Sequence, residues 1–289
     1  MISADSAIGS ERRSVARLVR PQPTMEGAGV ALHRSIATRE LNYLDPFLLF
    51  DDFSSDNPDD YLAGFPLHPH RGIETVTYML EGYVSHRDTL GNAGTIGPGD
   101  VQWMTAGRGI MHEEMPQQRG RRMTGFQLWV NLPARNKMMA PRYQEIAAAR
   151  IPEVVRENGV RIRVVTGTVD GFSGPVTDIV VNPLYLDIQL PPATTFEHPV
   201  TRGHSAFAYL FEGACTFAET GAAARSLVVF DDGDFVHAHT AQEPARFLLI
   251  AGQPLREPIA RYGPFVMNTQ EEIRQTLREL QEGTFIKAS

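Results

Sequence analysis

The chain has 289 residues, and its 42% of hydrophobic and 21% of charged residues provide for a folded core and exclude a largely disordered protein. A formal net charge of -7 argues against direct nucleic-acid binding through a broad basic surface. The single cysteine, Cys215, excludes an intramolecular disulfide, and no apolar run approaches the ~20 residues of a membrane helix, so we expect a cytoplasmic protein without membrane association.

Short strands dominate the predicted elements. Residues 1–10 are expected to be a polar lead-in, and β-branched and aromatic runs follow, separated by Gly, Pro, Asn and Asp. Examples are residues 74–80, 101–104, 125–130 and 184–188. Runs this short and closely spaced are typical of a β-barrel or sandwich rather than of alternating strands and helices. Residues 143–150 are instead compatible with a short helical or irregular piece in a linker.

The C-terminal segment predicts the clearest helix. Residues 269–272 match a capping box, in which a Thr and a Glu side chain satisfy each other's backbone N–H groups. Ile273, Leu277 and Leu280 follow at helical spacing, and Gly283 is suited to end the helix. We expect its apolar face to lie on a barrel.

Three fragments of the first half of the chain return in the second half in the same order. The pairs are 77–82 with 208–213, 98–101 with 232–235, and 126–130 with 247–251. Such internal similarity predicts a duplicated β-barrel. The first copy is expected to end near Pro133, and the second to run from about Val180 to Leu255.

Two short motifs, HPH at residues 68–70 and HEE at residues 112–114, each place two potential metal ligands at i and i+2. In a strand such side chains leave the same face, so neighbouring strands would bring His68, His70, His112 and Glu114 together. Three imidazoles and one carboxylate suit Fe(II), Mn(II), Ni(II), Cu(II) or Zn(II). The alternative is a polar loop and a charged strand end. No matching set recurs in the second copy, so we expect one metal site.

Polar residues near the two motifs are open to several interpretations. Glu74 is four residues after His70, so on a continuous strand both side chains would leave the same face. Glu74 is then a candidate for a fifth ligand or for an acceptor from an imidazole N–H. Glu113 is expected to point away from the site. His86 and Asp88 form another i,i+2 pair, for which a solvated hairpin is favoured over a second site.

Apolar candidates are interpreted as structural. Trp103, Met104 and Phe126 are of a type that lines pockets, but aromatic residues in strands belong more often to the core. Cys215 has no base beside it in sequence and is expected to be a small buried residue.

The phrases HPHRGIETVTYMLEG, QWMTAGRGIMHEEMP and GFQLWVNLP resemble the pirin family of the cupin superfamily. The resemblance runs from about Leu44 to Gln144 and resumes in RGHSAFAYLFEG and GPFVMNTQEEIRQTLREL. It implies an all-β fold of two cupin-type β-barrels with a C-terminal α-helix and metal only in the N-terminal barrel. We therefore predict a metal-binding barrel at residues 11–135, a linker at 136–179, and a metal-free barrel with the helix at 180–289.

The resemblance also implies the ligands and the chemistry. His68, His70, His112 and Glu114 match the family ligands, with Fe(II) as the usual metal and Cu, Ni, Mn, Co or Zn as alternatives. Several members have quercetin 2,3-dioxygenase activity, in which dioxygen cleaves a flavonol with release of carbon monoxide. Glu114 is then both ligand and proton acceptor. The alternative is a redox-dependent regulatory protein that binds transcription factors or metabolic enzymes, since fold and site do not separate these roles.

Overall fold

A computed structural model of the chain describes residues 11–120 and 122–287; the predicted lead-in at residues 1–10 lies outside them. The described chain divides into two compact units. The first unit comprises Gln22–Arg150 and the chain from Leu255 onward. The second unit comprises residues 11–21 and Ile151–Pro254.

Antiparallel strands build both units, with one α-helix, α1 (Gln270–Gln281), among the described residues. The first twelve strands are β1 (Val15–Val19), β2 (Gln22–Glu26), β3 (Val30–Ile36), β4 (Phe47–Asp52), β5 (Phe65–His70), β6 (Ile73–Glu81), β7 (Tyr83–Asp88), β8 (Ala93–Ile96), β9 (Val101–Thr105), β10 (Ile110–Gln117), β11 (Thr124–Asn131) and β12 (Arg142–Ile146). The others are β13 (Glu153–Val155), β14 (Arg161–Thr166), β15 (Thr168–Val169), β16 (Phe172–Ser173), β17 (Leu184–Leu190), β18 (Thr195–Pro199), β19 (Ser205–Phe217), β20 (Thr220–Ala223), β21 (Ser226–Phe230), β22 (Phe235–His239), β23 (Ala245–Gly252), β24 (Ala260–Tyr262) and β25 (Phe265–Met267).

The first unit has a seven-stranded sheet, β12-β9-β6-β11-β4-β3-β2, and a four-stranded sheet, β5-β10-β7-β8. The two sheets share a core, in which Leu32 and Met79 of the larger sheet pack with Val84 and Ile96 of the smaller one. Because side chains alternate along a strand, the opposite face of each sheet is left for other contacts. The smaller sheet carries both histidine motifs.

The second unit has a branched ten-stranded sheet whose main order is β1-β21-β19-β23-β17-β14-β13. Alternate residues of β17, β19 and β23 fill one continuous core, to which Leu186, Leu210 and Phe247 belong. Cys215 is buried in the same core, as predicted. Since this core is apolar throughout, its residues provide stability rather than chemistry.

The sequence repeat corresponds to equivalent strands at two of its three fragments. β6 and β11 hold the same central places in the first unit that β19 and β23 hold in the second. The middle pair was misaligned, because residues 98–101 lead into β9 whereas residues 232–235 lead into β22, and the counterpart of β9 is β21. Gly-Asp turns recur for local reasons and do not by themselves mark equivalent positions.

The units differ from the predicted domain boundaries at three places. β1 pairs with β21 in the second unit, and β24, β25 and α1 lie in the first unit. The expected linker at 136–179 contains β12 of the first unit and β13 to β16 of the second. The expected short helical or irregular piece at 143–150 is half strand, because residues 143–146 belong to β12 and pair with the edge of β9, whereas Ala148–Arg150 form a short 3-10 helix.

The predicted C-terminal helix is confirmed with its capping box. Thr269 Oγ1 accepts from the Glu272 N–H at 3.2 Å, and Glu272 Oε2 accepts from the Thr269 N–H at 2.8 Å. Its apolar face joins Phe265 of β25 and Phe285 in one cluster. Among the described residues, no helix is long and apolar enough to cross a membrane.

Candidate metal centre

The two histidine motifs lie on neighbouring antiparallel strands, β5 and β10. His112 stands directly opposite His68, and Ile110 stands opposite His70. The pairing shifts between His112 and Glu114, where a bulge turns the strand. Residues directly opposite each other project from the same face of a sheet, so this register brings the motifs together.

The three imidazoles form a compact cluster. Their ring centroids are 4.8 Å apart for His68 and His70, 4.5 Å for His68 and His112, and 5.0 Å for His70 and His112. One ligand atom from each ring lies within 4.8 Å of the others. Atoms bound to one ion at about 2.1 Å are separated by such distances or less, so the rings need little movement to share a metal.

Glu114 lies beside this cluster. Its Oε2 is 3.9 Å from His112 Nε2, and its Oε1 accepts a hydrogen bond from Thr77 Oγ1 at 3.1 Å. The residue is 8% exposed, so its carboxylate has little contact with water. One carboxylate oxygen is therefore held by protein while the other faces the histidines.

Burial sets the protonation of the cluster. It lowers the pKa of His70 well below its ordinary value, and that of His112 to about 4. Burial and the neighbouring His112 also lower the pKa of His68. Burial raises the pKa of Glu114, because its charged form loses hydration. Neutral imidazoles have a free nitrogen lone pair, which is the form that binds metal.

Unpartnered nitrogen atoms show that the residues fit a metal ion. Among the residues that the structure describes, neither ring nitrogen of His112 has a hydrogen-bond partner, nor does Nδ1 of His70. A buried polar atom without a partner costs about 1–3 kcal/mol, which a metal–ligand bond would offset. His68 Nδ1 is 2.9 Å from the Pro66 carbonyl oxygen, a contact that fixes the tautomer and leaves Nε2 as ligand.

The neighbouring polar residues have other partners. Glu74 lies on β6 in the other sheet, where its Oε1 accepts from Thr105 Oγ1 at 2.7 Å. His86 is buried with its Nε2 2.8 Å from Glu145 Oε1, so the solvated hairpin was wrong for this residue. Asp88 does cap the following turn, as a hairpin residue would. Glu113 pairs with Arg87 at 2.6 Å.

A cavity of about 520 Å³ opens onto His68, His70 and Glu114. Its walls combine apolar with charged and amide side chains, namely Leu32, Leu49, Phe53, Phe65, Trp129, Arg34, Asp51, Gln127 and Arg261. Pockets of this size hold small organic ligands. The centre is thus accessible to a molecule larger than water.

Sequence reasoning missed several of these wall residues. Trp103 and Phe126 are buried in the core, while Gln127 and Trp129, at the alternate positions of β11, face the cavity. The period-two alternation of that strand was the available signal. Arg261 lines the cavity from the C-terminal segment, and no sequence motif around it predicts this position.

Two similar β-sheet units, one with a buried histidine cluster, define a bicupin protein. Residues 29–130 match the family model described as Pirin, and residues 185–286 match the model described as Pirin C-terminal cupin domain. The chain therefore belongs to the pirin family. The expected all-β fold of two cupin domains with a C-terminal helix is confirmed.

Known relatives match nearly the whole chain. A pirin-like protein of Caulobacter vibrioides is 48% identical over 274 residues, which are 94% of this chain and 99% of the relative. Pirin of Homo sapiens is 42% identical over 277 residues, 93% of this chain and 92% of the relative. The crystal structure of quercetin 2,3-dioxygenase from Acinetobacter baumannii has a TM-score of 0.87 at 34% identity, covering 95% of this chain and 98% of that one.

Proposed function

We propose that the protein is a metal-dependent dioxygenase of the quercetinase type, which cleaves the central ring of a flavonol with dioxygen and releases carbon monoxide. The observation that carries this proposal is the cavity of about 520 Å³ that opens onto a buried cluster of three histidines and Glu114. The structure from Acinetobacter baumannii bears the name of this activity and supports the choice of substrate.

His68, His70, His112 and Glu114 are the residues that would hold one divalent transition metal, with Fe(II) as the first candidate. The donor set of imidazole nitrogen and carboxylate oxygen also admits Mn, Co, Ni, Cu and Zn. When bound, the metal supplies Lewis-acid polarisation of a substrate hydroxyl and, if redox-active, access to dioxygen chemistry.

Glu114 is the residue suited to accept the proton of the flavonol hydroxyl. Burial raises its pKa, so its carboxylate is a stronger base than an exposed glutamate. Thr77 donates to Oε1 and leaves Oε2 to face the histidines and the cavity. Transfer of the hydroxyl proton to Oε2 would leave the negative charge on the substrate oxygen.

The cavity walls orient the substrate and exclude water. Phe53, Phe65 and Trp129 offer flat apolar surfaces that suit a planar polyphenol, and Gln127 offers an amide for one of its hydroxyl groups. Exclusion of water protects a deprotonated flavonol from rapid reprotonation.

The test is aerobic turnover of quercetin by protein loaded separately with Fe(II), Mn(II), Co(II), Ni(II) or Cu(II). We expect loss of flavonol absorbance with an equal amount of carbon monoxide, trapped by reduced haemoglobin, for at least one metal. His112→Ala is expected to abolish both signals, whereas His237→Ala in the second unit retains them. Absence of carbon monoxide with all five metals would refute the proposal.

A further inference from the structure

Two guanidinium groups, those of Arg34 and Arg261, line the cavity. Arg34 is ion-paired: its Nε and Nη2 donate to the two carboxylate oxygens of Asp51 at 2.8 and 2.7 Å. Its Nη1 donates to Glu26 Oε1 at 2.7 Å. Both acidic residues of this wall are therefore bound to Arg34.

Arg261 has a different set of contacts. Its Nη1 donates to the Leu48 carbonyl at 3.2 Å and its Nε to the Gly263 carbonyl at 3.3 Å. The ion pairs among the described residues do not include this guanidinium. A guanidinium has five N–H groups, so three remain for a ligand. Burial first and the neighbouring Arg34 second lower the pKa of Arg261, and the charges of Asp51 and Glu26 oppose this shift only in part.

Trp129 connects this guanidinium with the metal centre. Arg261 Cζ lies 5.1 Å from the centroid of the Trp129 ring, over its face. The same ring meets His70 edge-on at 5.1 Å and an interplanar angle of 88°. His70, Trp129 and Arg261 thus follow one another along one cavity wall. With only the Trp129 ring between them, Arg261 and His70 are near enough for one aromatic ligand with a polar group at each end to reach both.

We propose that Arg261 is a specificity-determining residue that binds a carboxylate of a planar hydroxyaromatic substrate. A carboxylate matches the parallel N–H groups of a guanidinium and would give Arg261 the ion pair that it lacks, since Asp51 and Glu26 are bonded to Arg34. The substrate class is then hydroxyaromatic acids, with hydroxyl oxygen at the histidine cluster and the ring beside Trp129. This inference rests on the proposed function only for the location of the ligand.

The experiment compares 3,4-dihydroxybenzoate with its methyl ester, which differ in charge but hardly in shape. Both are titrated calorimetrically into protein loaded with Zn(II), which is redox-inert and prevents turnover. We expect the acid to bind roughly tenfold more tightly than the ester, as one charge-assisted contact provides. Arg261→Gln is expected to weaken binding of the acid far more than binding of the ester and so to remove this preference. Arg274→Gln, on the exposed face of α1, serves as the matched control and should keep the preference for the acid.

Equal affinities of acid and ester in the unaltered protein, or an unchanged preference in Arg261→Gln, would overturn the inference. If Arg261→Gln does not fold, Arg261→Lys takes its place. This variant keeps the positive charge but loses the planar guanidinium, so it should weaken the preference for the acid severalfold. An unchanged preference in Arg261→Lys would again overturn the inference. Carbon monoxide release from quercetin without acid preference refutes this inference alone. Acid preference without any release refutes the dioxygenase alone.

Discussion

The hydroxyl of Thr77 lies 3.1 Å from Oε1 of Glu114, so a side chain of the larger sheet holds the carboxylate on the smaller one. The same hydroxyl is 2.9 Å from Oε1 of Gln127, which is also an acceptor. A hydroxyl has one proton, so Thr77 donates to Glu114 or to Gln127 but not to both at once. Its donation to Glu114 fixes the carboxylate before a metal binds.

Thr77→Val should weaken metal binding while preserving shape. Loss of a residue that orients a ligand reduces affinity roughly 10-fold or more, and we expect such a reduction for Zn(II) in competition with a chelator. A changed Co(II) absorption spectrum should accompany it. Thr124→Val is the matched control, because Thr124 Oγ1 has no hydrogen-bond partner among the described residues. Equal effects of both variants would contradict the positioning role of Thr77.

Metal addition should stabilise the protein through the histidine cluster. A ligand at 100 to 1,000 times its Kd stabilises the folded state by about 2.7–4.1 kcal/mol. We expect Ni(II) or Zn(II) to raise the midpoint of thermal unfolding and a chelator to reverse the effect. His68→Ala should abolish the shift, and His237→Ala should leave it intact. A shift that survives His68→Ala would place the metal elsewhere.

Arg71 should be a major source of stability next to the metal centre. Its guanidinium is buried, donates to the Arg108 carbonyl at 2.7 Å and to Glu279 Oε2 at 2.8 Å, and lies 4.5 Å over the Phe285 ring. Removing one partner of such a buried pair costs about 3–5 kcal/mol, so Arg71→Met should lower the free energy of unfolding by about 3 kcal/mol. Urea denaturation followed by Trp fluorescence measures this.

The control for Arg71 is an exposed ion pair on α1, the helix that carries Glu279. Arg274 pairs with Glu271 at 2.9 Å, with both side chains 63% exposed. Arg274→Gln should change the free energy of unfolding by less than about 0.5 kcal/mol. If Arg71→Met and Arg274→Gln lowered the free energy of unfolding by comparable amounts, burial would not explain the contribution of Arg71 to stability.

His198 should make the second unit sensitive to acid. Burial first, and Arg156 second, lower the pKa of His198 to about 4 from the ordinary 6.5. Between these values the unfolded chain binds more protons than the folded one, so stability is lost as the pH falls from 6.5 towards 4. The loss should reach up to about 3 kcal/mol.

Urea unfolding followed by circular dichroism between pH 4 and 7 tests this dependence. His198→Phe should flatten the curve, because the stack on Phe196 remains while the titrating ring is removed. His33→Gln in the first unit serves as the control. A curve of equal slope in His198→Phe would assign the acid sensitivity to other groups.

The convergence of the histidines was predictable, because strand geometry alone relates positions i and i+2 and the two motifs lie on adjacent strands. Which side of β11 faces the cavity was not predicted, since aromatic residues occur on both sides of that strand. The position of Arg261 could not be predicted from the sequence, because β24 and β25 pair with each other and Arg261 reaches Leu48 in a unit that begins far earlier in the chain. The regulatory alternative stays a prediction, as both roles would use the same fold and site.

Segments near both ends of the chain belong to units whose other strands are far away in sequence, and this constrains the order of folding during synthesis. β1 pairs with β21 across more than two hundred residues, and the first unit includes β24, β25 and α1, which follow the whole second unit in sequence. During translation the first unit can collapse early but can close around Arg71 and Arg261 only after the second unit has been synthesised. A chain split between the two units would separate β1 from β21 and leave β21 with an unpaired edge, which invites aggregation. The cavity beside the histidine cluster is therefore completed last, although its histidines are synthesised first.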